Sequence, residues 1–187
     1  MFTVGLDLGT VSGVAIGDSR INHPSQLESF SMRFRKPHEP FQMAGYNIEA
    51  WLTQAFIKPL PKYPEPELII AEAMLPIAGQ KSDDAALVAV SLDQGLFNFC
   101  KRFHIRLERV ARSTACLHFI GQGRKRKGSN EDIKQLVAER CHLLGYTEYV
   151  LPKAKRDRSD AICCWDFGVA TYARRRPAGV ALMGGVA

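Results

Sequence analysis

Residues 2–18 read Phe2-Thr3-Val4-Gly5-Leu6-Asp7-Leu8-Gly9-Thr10-Val11-Ser12-Gly13-Val14-Ala15-Ile16-Gly17-Asp18, and this stretch decides the fold. Two strand-like runs, Phe2 to Leu8 and Val11 to Asp18, flank a Gly9-Thr10 turn, which is the pattern of a β-hairpin. Asp7 stands inside the first run with apolar neighbours on both sides. A carboxylate in such surroundings is costly unless it is paired, hydrogen-bonded or bound to a metal. The hairpin therefore opens an antiparallel sheet and carries the first candidate functional residue.

Working outward, Leu27 to Phe34 alternates apolar and polar residues as a third strand. From Phe41, Ala44, Ile48, Leu52, Ala55 and Phe56 recur at helical spacing, and Pro59 and Pro61 stop that helix. The run Glu67 to Ala73 suits a central strand covered on both faces. Asp84 to Phe103 reads as a long helix with Asp83-Asp84 at its start and Asp93 on a solvated face. Ile105 to Val110 is a fifth strand. Ser129 or Asn130 is expected to cap the next helix, with Asp132 placed for a capping box and Gly145 beyond its end. Its buried stripe is Ile133, Leu136, Val137, Cys141 and Leu144. A last helix, Ser159 to Ala173, buries Ala161, Cys164, Trp165, Gly168 and Tyr172. This order predicts an α/β fold: a five-stranded mixed sheet, the first three strands antiparallel and the rest parallel, flanked by helices. A chain of 187 residues has room for one core. Residues 1–176 are expected to form a single domain, with 177–187 a flexible tail.

At 46% hydrophobic and 24% charged residues, the composition is that of an ordinary globular protein and excludes a disordered or repeat architecture. The apolar stretch Ala85 to Val90 falls far short of the roughly 20 residues a membrane helix requires. Met1-Phe2-Thr3-Val4 runs straight into strand-like sequence without a basic leader, so a cytoplasmic location is expected. The cysteines are odd in number (five) and form no C-x-x-C pair, which favours buried thiols over disulfides. The histidines lack zinc-ligand spacing. The net charge of +6 is clustered in Arg124-Lys125-Arg126-Lys127, in Lys153, Lys155, Arg156 and Arg158, and in Arg174-Arg175-Arg176. Clustered cations suit a polyanionic partner, although solvated basic surfaces also arise without one.

Glu72, inside Leu68-Ile69-Ile70-Ala71-Glu72-Ala73, repeats the anomaly of Asp7. Arg109 or Arg112 could serve as a structural partner, so either acid alone is as readily structural as functional. Asp157 and Asp160 add weight. Three residues apart at a helix start, they project from one face. Complementing the helix dipole explains one such acid, but neither the pair nor the two acids on strands. Four hard oxygen donors without a Cys/His cluster suit Mg²⁺ or Mn²⁺. Two such ions roughly 4 Å apart activate water and stabilise the leaving oxygen of a phosphodiester. Trp51 and Trp165 read as core, and Cys163-Cys164 as small residues at a helix contact.

The motifs Gly5-Leu6-Asp7-Leu8-Gly9-Thr10, Ile70-Ala71-Glu72-Ala73, Phe119-Ile120-Gly121-Gln122-Gly123 before a cation-rich loop, and Asp157-x-x-Asp160-Ala161 occur in this order. The ordered set resembles the RuvC-type Holliday-junction resolvases of the RNase H-like superfamily, and looks nearest to their phage-borne and bacterial RuvC-like subgroup. The resemblance implies that Asp7, Glu72, Asp157 and Asp160 hold two Mg²⁺ or Mn²⁺ ions and that cleavage of branched DNA leaves 5′-phosphate ends. It also implies a homodimer, with DNA contacts expected from Arg124, Lys125, Arg126, Lys127, Lys155 and Arg156. The apolar start of the Asp84-to-Phe103 helix, Val88 included, is the expected dimer contact. One departure is Leu75, where housekeeping resolvases carry an aromatic residue that stacks on bases. An actin-like or sugar-kinase-like phosphotransferase shares the Asp-x-Gly-Thr hairpin, but needs two domains and a second phosphate hairpin that Glu67 to Met74 does not supply. The presence of all four acids argues against a non-catalytic module, whereas an RNA-processing or flap-cutting nuclease remains open, because strand-mounted carboxylates read a phosphodiester and not the sugar or the branch.

Overall fold

The alternation of side chains along the first hairpin sorts its residues between two layers. Val4 and Leu6 point to one side and pack in a core with Ile48, Leu52, Leu92 and Phe99, whereas Gly5 faces the helix on the other side. The computed structural model describes residues 1–74, 82–124 and 132–173. In it, β1 (Phe2–Asp7), β2 (Ser12–Asp18), β3 (Glu28–Met32), β4 (Leu68–Glu72) and β5 (Arg106–Val110) form one sheet in the order β3-β2-β1-β4-β5. β1 pairs antiparallel with β2 and β2 with β3; β4 lies parallel to both β1 and β5. The expected five-stranded mixed sheet is what forms.

α1 (Gln42–Phe56) and α2 (Asp83–Arg102) cover one face. They approach backbone to backbone at Gly45 and Gly95, where a Cβ on either would strike the other helix. Ser82 caps α2, accepting the Ala85 N–H at 3.2 Å. Val88 is only 2% exposed, which corrects its expected place on an outward face: α1 covers it. Leu87, Val90 and Phe97 are the apolar side chains of α2 left exposed. Trp51 packs edge-on against Phe30, Phe34 and Phe56, a core role as expected.

The other face carries α3 (Arg112–Ile120), α4 (Ile133–Leu143) and α5 (Arg156–Tyr172). α5 lies directly on β1 and β2. A Cβ at Gly5 would meet Ala161 and Trp165, and one at Gly13 would meet the Asp157 backbone. Trp165 is fully buried and its Nε1 donates to the Gly17 carbonyl at 3.4 Å. Every residue from Ser159 to Trp165 is buried, while Tyr172 is only half-buried. α5 starts at Arg156, three residues earlier than expected, which places Asp157 in its first turn.

α3 was not expected. It is nine residues long, has no side-chain cap at Ala111 and ends at Gly121, whose φ of 75° is the left-handed conformation glycine favours. α4 is capped by Asp132 itself, which accepts the Lys134 N–H at 3.0 Å; Ser129 and Asn130 lie outside the described residues. Of its expected stripe, Val137 and Cys141 are buried and Ile133, Leu136 and Leu144 half-buried. All five cysteines are free and buried. Among the described residues no helix is long and apolar enough to cross a membrane. The expected tail, 177–187, is outside the described residues.

Candidate metal centre

Asp7 and Glu72 are the last residues of β1 and β4, one position beyond the paired Leu6 and Ala71. Neighbouring parallel strands run roughly 4.8 Å apart, so two residues at the same level place their side chains side by side. Both share the side of Gly5 and Ile70, the face on which α5 lies. Asp160, in the second turn of α5, comes down on them. Carboxylate oxygens of Asp7, Glu72 and Asp160 all lie within 4.8 Å of one another. Asp157, one turn earlier, lines the same cleft but stands outside that trio.

Gathering these acids has electrostatic consequences. Burial holds the Asp7 carboxyl well above the ordinary range, and the charges of Glu72 and Asp160 push it further. Burial and then Asp160 raise Glu72 to about 7, against the pull of Arg112 and Lys134. Burial also raises Asp157, with Lys134 opposing. The balancing cations come from α3 and α4. Lys134 Nζ lies 2.7 Å from Asp160 Oδ2 and 3.6 Å from Asp157 Oδ1, and Arg112 Nη2 lies 3.5 Å from Asp160 Oδ2. Burial works to lower the Lys134 pKa, but Asp160 and Asp7 outweigh it and the net shift is upward. Asp160 is 3% exposed, and its Oδ1 accepts no hydrogen bond among the described residues. A buried anionic oxygen without a partner is costly, and a hard divalent cation among oxygen donors would satisfy it. The residues present fit Mg²⁺ or Mn²⁺.

The cleft has a volume of about 550 Å³ and is rimmed by Arg33, Lys134 and Lys153, none of which had been singled out for this site. Arg112 reaches Asp160 as an ionic partner, whereas Arg109 does not join the acids. Instead Arg109 Nε donates to Asp93 Oδ1 at 2.8 Å, an ion pair on the solvent-accessible face of α2 where Asp93 was expected. Of the expected DNA contacts, Arg124 is exposed and Lys125, Arg126 and Lys127 lie outside the described residues. Lys155 is exposed and donates to the Tyr149 hydroxyl at 3.4 Å. Arg156 is largely buried, bound to the Asp132 carboxylate at 2.6 Å and to the Gln135 side chain. Leu75 is outside the described residues, and Met74 is exposed on the cleft wall.

A sheet ordered 3-2-1-4-5, with two strands parallel to the first and helices on both faces, is the RNase H-like fold. No protein-family model matches the sequence, and no curated protein does. Solved structures do match in shape. Thermus thermophilus RuvC aligns with a TM-score of 0.63 and 18% identity over 93% of this chain and 96% of that one. T. thermophilus RuvC in complex with a Holliday-junction substrate aligns at 0.61 and 16%, over 93% and 95%. The yeast mitochondrial Holliday junction resolvase Ydc2 aligns at 0.58 and 13%, over 91% and 80%. At these identities the likeness is one of fold.

Proposed function

We propose that the protein is a divalent-metal-dependent endonuclease acting on branched DNA, with the four-way junction as its substrate class. The observation that carries this is the trio Asp7, Glu72 and Asp160, gathered within 4.8 Å around a partnerless Asp160 oxygen. Support comes from the fold, since a solved structure of the same shape is bound to a Holliday junction. Asp7, Glu72 and Asp160 would hold Mg²⁺ or Mn²⁺, with Asp157 at the cleft wall as a further ligand for a second ion. When bound, the metal supplies activation of water and neutralisation of charge on the phosphodiester, for which 5′-phosphate products are expected. The chain's own residues do the rest. The strand ends fix two carboxylates rigidly, α5 supplies the third, and Arg112 limits the repulsion among them. Arg124 to Lys127 and Lys155 are proposed to grip phosphates; Arg156, already paired, serves to fasten α4 to α5. A homodimer through the exposed Leu87, Val90 and Phe97 of α2 would present two such clefts to two equivalent strands.

The test is cleavage with Mg²⁺ of a matched panel: four-way junction, fork, flap, linear duplex, single strand and RNA–DNA hybrid. Symmetric nicks on the junction are expected, lost in Asp7→Asn, Glu72→Gln and Asp160→Asn while junction binding persists. Cleavage retained in all three variants would show the acids to be structural.

A further inference from the structure

Lys134 is the second residue of α4, in its first turn. A cation there opposes the helix dipole, and partial burial adds a further cost. The compensation is the pair of contacts to Asp160 and Asp157, at 2.7 and 3.6 Å. The seat is built on both sides of the lysine. Asp132 caps α4 by accepting the Lys134 N–H, and Arg156, the residue before Asp157, holds both Asp132 and Gln135. The starts of α4 and α5 are thereby clasped around one ammonium group.

We propose that Lys134 is a resident counter-cation, seated against Asp160 and Asp157 in the metal-free protein and giving up these contacts when a divalent cation enters. The proposal rests on the metal reading of the same site. An ammonium and a divalent ion draw on the same carboxylates, and two cations held side by side among them repel one another. The four-carbon stem of lysine lets Nζ swing aside while α4 stays clasped. Metal binding is then an exchange of cations, weaker than the acids alone would give, and the acids are spared mutual repulsion before the metal arrives. Lys134 is a positioning residue in this scheme, acting through the carboxylates.

Calorimetric titration with Mn²⁺ alone, without DNA, tests it on the wild type, Lys134→Gln and Lys134→Arg. Lys134→Gln is expected to bind Mn²⁺ about tenfold tighter or more, because one positive charge has left the cluster. Its metal-free form should melt several degrees below the wild type at pH 8, and saturating Mn²⁺ should close that gap. Lys134→Arg should stay near the wild type in both. Independently of any variant's folding, the side-chain Cε resonance of Lys134 in the wild type should move as Mg²⁺ is added. Equal or weaker Mn²⁺ affinity in Lys134→Gln, or a Lys134 resonance that stays fixed at Mg²⁺ saturation, overturns the exchange while leaving the metal site standing. Absence of Mn²⁺ binding in every protein overturns the metal reading and the exchange together.

Discussion

Glu72 ends a buried strand with its carboxyl raised from 4.5 to about 7, through burial and the neighbouring Asp160. Between those pH values the folded protein binds more protons than the unfolded chain. Stability is therefore expected to fall as pH rises from about 4.5 through about 7, and to level off above that. Asp7, raised by burial and by Glu72, acts in the same direction. Metal-free Glu72→Gln should be more stable than the wild type at pH 8 by roughly 1–3 kcal/mol, the two converging near pH 4. Urea denaturation in chelator at both pH values measures this; equal stability at pH 8 would mean that the carboxyl is not strained. Asp7 and Glu72 were legible in the sequence because acids that interrupt apolar runs stand out, and Asp157 and Asp160 because they are paired three residues apart at a helix start. Lys134 was overlooked, although a lysine placed against the dipole of a helix start is itself a signal of a facing anion. The Arg109–Asp93 pair was not legible, because no local pattern shows that Arg109 of β5 lies beside α2 there.

At the scale of elements, α5 is the part that turns separate acids into a site, and it reaches the sheet because Gly5 and Gly13 leave room for its backbone. Gly5→Ala and Gly13→Ala should each force α5 off the sheet and cost about 3 kcal/mol, by analogy with overpacked cores. The accompanying expectation is weaker Mn²⁺ binding, since Asp160 would be lifted from Asp7 and Glu72. Denaturation midpoints and calorimetry check both; an unchanged midpoint would show that the helix does not press on these strands. The five strands and four of the five described helices were readable from periodicity and breakers. α3 was not, because it is short and its cap is backbone only. The α5 boundary was drawn late because its N-cap, Lys155, makes no side-chain cap, whereas Ser159 within the first turn is a residue type that caps helices. The α4 boundary was drawn early because three neighbouring polar residues, Ser129, Asn130 and Asp132, can each cap and only geometry chooses among them.

At the scale of the whole molecule, the sheet order follows from the hairpin and the crossovers, but assembly does not. The helix that reads as apolar on every side is mostly consumed by α1, so Val88→Glu would unfold the protein and leave association unread. Leu87→Glu and Phe97→Glu are the informative changes, each 43–44% exposed on α2. In sedimentation, the wild type should run as a dimer at micromolar concentration and Leu87→Glu/Phe97→Glu as a folded monomer. A monomeric wild type would remove the α2 contact and, with it, paired nicking by a preformed dimer. The glycines beneath α5 have a consequence of a different kind, for inheritance. Where helix and sheet touch main chain to main chain, the spacing of the carboxylates does not depend on which side chains fill the surrounding core. Mutations can accumulate through that core for a very long time without disturbing the one distance that matters.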